Sequence, residues 1–470
     1  LKEKAKEIAE RLLSSSKVHV VSHIDADGIA SASIAYSALS RAGVDVSVQF
    51  VKQLEERILN SVKEAGHDMI WFTDLGSGQL RNLAGVRCVI TDHHEPQGEA
   101  TGPLDRGNIL SYSNHGIMEL NPHRYGIDGS KEISGAGVTY LVAREMGDNI
   151  DLSHLAIVGA VGDMQASADG RLVGSNREIL AEGEEAGFVN TNIDAQLYGI
   201  ESRPLSKVIE YASDPLIPGL SGDQTGSVDF LDDLGIPLKK DGGWRRWYQL
   251  EHPEKQKIIS ALADRILDAG YPASYASSLV GEVYTFPNEE PGTMLHEAKE
   301  FSTLLNSCGR YQKGKIGMAV CTGDRGEKLK EAYRLLKGHQ KVLVDCMKIV
   351  ESEGIEEKDF LQYFSGGHKI PETVLGTVAG MILGSGKADR SMPILGFAYT
   401  EDGEGMKVSS RATKTLVDSG LDLSEVMSKC SKELGGEGGG HAIAAGAFIP
   451  DDKKERFLQL AEDMIKSQLS

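Results

Sequence analysis

Three side chains able to bind a metal fall within five positions in His23-Ile24-Asp25-Ala26-Asp27-Gly28, directly after the apolar run Val18 to Ser22. Alternate residues of an extended segment point the same way. The imidazole and both carboxylates can therefore converge at the carboxyl end of a strand, where open α/β sheets bind ligands. Gly28 frees the turn. Asp27 could instead cap the helix that follows, but that leaves His23 without a role. Thr73-Asp74-Leu75-Gly76 repeats the pattern after a second apolar run, although an aspartate there also suits a simple turn. Thr91-Asp92-His93-His94-Glu95-Pro96 follows Val86 to Ile90. Adjacent side chains diverge, so one imidazole can take a metal while the other faces substrate, with the acid fixing a tautomer. Val161-Gly162-Asp163 closes a further apolar stretch. Hard oxygen and nitrogen donors of this kind suit two six-coordinate Mn²⁺ or Mg²⁺ ions better than tetrahedral zinc. Two such ions clamp a phosphoryl group and generate hydroxide near neutral pH.

The elements that must carry these residues alternate. Lys2 to Leu13 has helical apolar spacing. Val18 to Ser22, Val44 to Val51, Met69 to Thr73 and Val86 to Thr91 read as strands, and Gly28 to Leu39, Ser134 to Met146 and Leu152 to Val161 as helices. This rhythm predicts an α/β fold, a mostly parallel sheet flanked by helices. From Pro204 the character changes, with prolines, glycines and acids crowding residues 214–243. Residues 1–204 are expected to form a catalytic domain with a leading helix, and 205–291 an inserted module containing a helix from Pro253 to Leu267. Residues 292–470 are expected to form a connecting helix, near Thr293 to Leu305, and a smaller α/β domain.

The chain has 470 residues, 40% hydrophobic and 25% charged, with a net charge of -19. That balance fits a globular protein and argues against a protein that coats duplex DNA. Ten Lys and Arg against four acids between Leu305 and Val350 give a local net of +6, either a phosphate-facing patch or a solvated helix face. Cys88, Cys308, Cys321, Cys346 and Cys430 form no CxxC pair, which argues against a zinc ribbon or an iron–sulfur site and fits the reducing cytoplasm. No signal peptide or long apolar run is seen, so a cytoplasmic protein without membrane contact is expected.

HIDADG, TDLG, TDHH and VGD, in this order, resemble motifs I to IV of the DHH phosphoesterase superfamily. Gly439-Gly440-His441-Ala442-Ile443-Ala444-Ala445-Gly446 resembles the signature of the DHHA1 domain. Asn306-Ser307-Cys308-Gly309-Arg310 and Ser409-Ser410-Arg411 resemble that domain's substrate-facing stretches. The likeness covers about 15–195 and 300–470. Its arrangement is most similar to archaeal RecJ-like proteins, including the nuclease that associates with the GINS replication complex. It implies a Mn²⁺-dependent exonuclease on single-stranded DNA or RNA, with a GINS subunit as partner of the insertion. An oligoribonuclease or cyclic-dinucleotide phosphodiesterase is the rival enzyme, and an inactive replisome scaffold the rival of another class, although such relatives have lost ligands.

The resemblance further implies that His23 and Asp25 hold one metal, that Asp27, His93 and Asp163 hold the other, and that Asp74 bridges them around a nucleophilic hydroxide. Asp92 would orient His93. His94 would contact the phosphate and help protonate the leaving oxygen. His441, Arg411, Gly439, Gly440 and Arg310 would receive neighbouring phosphates, since glycines let amides approach an anion. Ser134-Gly135-Ala136-Gly137 opens a predicted helix whose amides either serve an anion or are simply capped. Trp244-Arg245-Arg246-Trp247 could stack bases; a small core with a surface arginine pair, or a protein contact, is the expectation. His67, His115 and His123 belong to no constellation.

Overall fold

The computed structural model describes residues 1–64, 67–83, 85–97, 116–166, 170–212, 215–400, 403 and 405–469. His115 lies outside them. The chain forms two compact units, residues 1–211 with 224–336, and 212–223 with 337–470.

The first unit is built on five parallel strands: β1 (Lys17–His23), β2 (Asp45–Val51), β3 (Met69–Thr73), β4 (Cys88–Thr91) and β5 (Ile117–Leu120), in the order β2-β1-β3-β4-β5. β3 and β4 are buried at every residue, as expected of strands covered on both faces. Val20, Met69, Trp71 and Val89 face a core shared with α1 (Lys2–Leu13), α2 (Ala26–Arg41), α4 (Gly135–Met146) and α5 (Ser153–Gly162). Their sequence neighbours Val21, Ile70, Phe72 and Ile90 face the opposite layer, with α3 (Glu56–Glu64). The register sets Ser22 beside Thr73, Thr73 beside Thr91, and Thr91 beside Leu120. The strands therefore end level, and whatever follows each one gathers along a single edge of the sheet.

Two further helices join this core. The helix expected near Thr293 to Leu305 spans Ala298–Arg310, after a short turn at Met294–His296. With the helix Gly314–Cys321 it packs Phe301, Leu304, Leu305, Ile316 and Val320 into the core of the first unit.

The inserted module is present. Its helices Leu205–Glu210, Gln224–Asp233 and His252–Asp268 lie between the strands Asn190–Ala195 and Val280–Thr285, which pair antiparallel. Trp247 is buried and donates to Asp194 at 2.8 Å. The expected surface arginine pair is not found: Arg245 is buried against Glu254 and half-buried Arg246 donates to the Gly292 carbonyl, while Trp244 stays exposed beneath Lys239.

The second unit has a six-stranded mixed sheet with apolar clusters on both faces. Its glycine run, which the sequence left as a site or a flexible turn, is a strand, Glu437–His441, paired with Ala444–Ile449. Among the described residues no helix is long and apolar enough to cross a membrane.

Candidate metal centre

The level strand ends bring six of the singled-out side chains together. One set of donor atoms, from His23, Asp25 and Asp74, lies within 4.8 Å of one another, and so does a second set from Asp27, His93 and Asp163. Asp74 joins them. His93 Nε2 is 3.2 Å from Asp74, 3.2 Å from Asp163 and 3.7 Å from Asp27. His23 Nδ1 is 2.8 Å from Asp25 and 3.6 Å from Asp74. Yet His23 Nδ1, His93 Nε2 and both Asp74 carboxylate oxygens are buried without hydrogen-bond geometry to any partner. Buried polar atoms are nearly always bonded. Lone pairs that converge on common points and miss each other are what metal ligands look like without the ion, so this donor set fits divalent cations.

Each ligand is held from behind. Asp25 caps α2, accepting from the Gly28 amide at 2.9 Å; the cap is Asp25, and Asp27 lies within the first turn of the helix. A Cβ on Gly28 would lie 2.2 Å from the His23 carbonyl oxygen, so only glycine fits. Asp27 is buried and accepts from the amides of Gly135 at 2.6 Å and Ala136 at 3.0 Å. This resolves the Ser134 stretch. Its helix end does serve an anion, but the anion is Asp27. Ser134 itself is buried and accepts from the Gly137 amide, so it is a cap and has no open face for substrate. Asp74 adopts a left-handed φ of 58°, a conformation that aspartate tolerates better than most residues and that turns its carboxylate away from the line of β3. Gly135 and Gly159 leave the room: a Cβ would come within 2.5 Å of Asp74 Oδ1 and 2.2 Å of Asp27 Oδ1 respectively.

His93 Nδ1 lies 2.7 Å from the Gly129 carbonyl. A carbonyl only accepts, so Nδ1 carries the proton and Nε2 keeps its lone pair for the centre. The expectation that Asp92 orients His93 is therefore corrected. Asp92 accepts from His94, at its amide and at Nδ1 (2.8 Å), and from the Ser77 amide. The exit of β4 swings the carboxylate toward residue i+2. His94 is more than half exposed, with Nε2 turned away from Asp92.

Sequence reasoning missed several supports. Asn121 donates to the His94 carbonyl, and His123 to the His93 carbonyl. Asn306 accepts from the Ala26 amide at 2.9 Å, and a Cβ on Gly309 would sit 1.8 Å from the Ile24 carbonyl oxygen. The stretch ending in Arg310, which the sequence assigned to the C-terminal substrate-binding domain, instead packs on the His23–Asp25 loop inside the first unit, because its helix buries its apolar face in that unit's core.

The electrostatics are those of an anion-rich pocket. Burial works against charge on His23, but Asp25 and Asp74 override it and push its pKa up to about 11. Burial and the Asp74 carboxylate push Asp27 well above the usual range. Burial, opposed by His93 and assisted by Asp74, lifts Asp163 to about 6. Asp74 stays low despite burial, because His23 and His93 hold it. Asp27 and Asp163 thus favour protons where divalent charge would serve.

In the second unit, Arg411 and His441 both pair with Ala444, one on each side of its strand. They share a face, about 10 Å apart at ordinary strand spacing. Arg411 is desolvated, which lowers its pKa, and has no ion pair among the described residues. His441 is exposed, and nothing stands near a Cβ built on Gly439. Gly440 has φ 139° and pairs closely with Ala445.

Comparison with known families agrees with this architecture. Residues 17–160 match the DHH family N-terminal domain, 197–280 the DHH-CID domain and 358–467 the DHHA1 domain. The chain belongs to the DHH/DHHA1 phosphoesterase superfamily, and its fold is RecJ-like. Protein MJ0831 of Methanocaldococcus jannaschii is 32% identical over 99% of this chain and 97% of its own length. The single-stranded-DNA-specific exonuclease RecJ of Bacillus subtilis is 25% identical over 35% of this chain and 21% of its own. Among solved structures, Thermus thermophilus RecJ in complex with Mn²⁺ is 17% identical with a TM-score of 0.58, covering 99% of this chain, which spans about half (55%) of that protein. CDC45 of Entamoeba histolytica is 12% identical with a TM-score of 0.64 and 99% coverage of both chains.

Proposed function

We propose that the protein is a metal-dependent, single-strand-specific exonuclease that hydrolyses phosphodiester bonds in DNA, and also in RNA, during replication and repair. The observation that carries this reading is the set of unsatisfied, converging donors of His23, Asp25, Asp27, Asp74, His93 and Asp163. Likeness to a single-stranded-DNA-specific exonuclease supports the substrate class.

His23, Asp25 and Asp74 would hold one Mn²⁺, and Asp27, His93 and Asp163, with Asp74, a second; ions bound there would supply a hydroxide and offset charge on the phosphoryl oxygens. The chain does the rest. Asp27, locked by two amides, and His93, locked by Gly129, fix the inner donors. Asp92 holds Nδ1–H of His94, so that Nε2 of this exposed ring is presented to the scissile phosphate. The raised pKa that Asp92 confers lets that nitrogen arrive protonated and pass a proton to the leaving oxygen. Arg310, beside the His23–Asp25 loop, and Arg411, His441, Gly439 and Gly440 in the second unit receive neighbouring phosphates. By this reading residues 1–204 carry the chemistry, backed by the helices Ala298–Arg310 and Gly314–Cys321 of the same unit, 205–291 bind a partner of the GINS type, and the C-terminal part from 337 to 470 guides the strand, in a cytoplasmic protein.

A replisome-scaffold reading is disfavoured because the whole donor set is retained. The test is timed digestion of 5′- and 3′-labelled single-stranded DNA and RNA of graded length, with Mn²⁺ and with chelator. Mononucleotide release from long strands, abolished by chelator, supports the proposal. Cleavage confined to di- and trinucleotides would replace it with an oligoribonuclease, and no cleavage at all would leave the scaffold.

A further inference from the structure

Gln165 follows the cluster residue Asp163 by two positions, yet it is only 5% exposed. The helix Ser153–Gly162 ends with Met164 in a left-handed conformation (φ 59°). The Met164 amide reaches the Val161 carbonyl at 3.1 Å, and the Gln165 amide reaches Ala160 at 3.0 Å. This capping turn leaves the Asp163 side chain at the centre and drives Gln165 beneath it. There the Gln165 side-chain amide donates to the Gly129 carbonyl at 2.9 Å and toward Ile133 at 3.3 Å. Its own oxygen accepts from the buried Asn176 amide at 2.6 Å, which fixes which end is the donor.

The Gly129 carbonyl is the same atom that receives the Nδ1 proton of His93. One oxygen thus accepts from a metal-facing imidazole and from a side chain tethered to a metal-facing carboxylate. Gly129 cannot be other than glycine at this spot, since a Cβ would lie 2.0 Å from the His93 carbonyl oxygen. A buried amide that only satisfied the core could bond any backbone group. This one bonds the group on which the His93 tautomer depends.

We propose that Gln165, oriented by Asn176, is a positioning residue: it pins the Gly129 carbonyl so that His93 keeps its Nε2 lone pair turned toward Asp27, Asp74 and Asp163. The proposal rests on reading this cluster as a metal centre. Partners of this kind hold ring orientation, and their loss typically weakens metal affinity by about 10–100-fold.

The test is calorimetric titration of the full chain with Mn²⁺, for wild type, Gln165→Met and Asn176→Ser, with melting of each metal-free protein to establish that it is folded. Gln165→Met keeps the side-chain volume and removes both hydrogen-bonding ends. The expected result is selective: one Mn²⁺ weakened by about 10–100-fold, the other bound as in wild type. Asn176→Ser keeps Gln165 but frees its amide, and is expected to give a smaller loss at the same site; it carries the comparison if Gln165→Met does not fold. A wild-type isotherm in a folded variant overturns the proposal alone, because a merely structural amide would leave metal affinity untouched. Failure of the wild-type chain to take up Mn²⁺ would overturn the metal-centre reading, and this proposal with it.

Discussion

Gly135→Ala adds one methyl group and changes no ligand, which makes it a sharp test of the packing behind the centre. The new Cβ would lie 2.5 Å from Asp74 Oδ1, 2.7 Å from its Cβ and 2.8 Å from its Cγ. Real Cβ contacts essentially never fall below 3.0 Å, so Asp74 or the helix start must move by half an ångström or more. Asp74 has little freedom to yield, being buried at φ 58° with its amide bound to the Thr91 carbonyl at 2.8 Å. If the helix start moves instead, the Gly135 amide leaves Asp27, which it holds at 2.6 Å. Either way an inner ligand shifts. A 1 Å misplacement can cost about 100-fold in rate, so a shift of half an ångström or more is expected to cost about 10- to 100-fold, and overpacking costs about 1–3 kcal/mol in stability, less the gain from replacing glycine within a helix. The assay is single-turnover cleavage of labelled single-stranded DNA at saturating Mn²⁺, beside a thermal melt. A folded Gly135→Ala chain with wild-type single-turnover rates would refute the claim that Asp74 is gripped between β3 and this helix.

Asp74→Ala should abolish hydrolysis by many orders of magnitude with the fold retained, as measured by the same cleavage assay and by circular dichroism; near-normal activity at saturating Mn²⁺ would remove the two-metal proposal. Mn²⁺ affinity should rise with pH, by about tenfold per unit for each displaced proton, through the window near 6 where Asp163 releases its proton. The metal-free stability should run the other way. A carboxyl whose pKa is raised on folding keeps a proton that the unfolded chain has lost, so stability falls between about pH 4 and pH 6. Titrations at about pH 5 and 7 and melts of the metal-free protein at about pH 4 and 6 check the two slopes, and a flat metal affinity would contradict them. His441→Ala should weaken strand binding and slow turnover while leaving Mn²⁺ uptake unchanged; loss of a metal in calorimetry would show that ligand and substrate duties are divided differently.

Much of the centre is legible in the amino-acid sequence, because its ligands are local events. A strand end followed by His23, Asp25 and Asp27, or by His93 and His94, announces itself through strand periodicity and the turn residue that follows. The parallel sheet is legible from the same alternation. β5 is not, being four residues long. The glycine run at Gly435 to Gly440 reads as a turn or site because glycine carries no apolar signature; its strand state comes from pairing with Ala444–Ile449.

What tertiary structure alone decided is who stands opposite whom. Periodicity says which way a side chain points and nothing about what waits there. The anion at the start of the helix Gly135–Met146 is Asp27, 108 residues earlier. Asp92 serves His94 and not His93, because backbone geometry past β4 aims its carboxylate and the Gly129 carbonyl had already taken the His93 proton. The segment ending at Arg310 lies against the His23–Asp25 loop because its helix buries Phe301, Leu304 and Leu305 in the first unit's core. Such partners are chosen by close packing of distant segments, where a single methyl at Gly135 or Gly159 decides whether two carboxylates fit, and no local pattern encodes that fit.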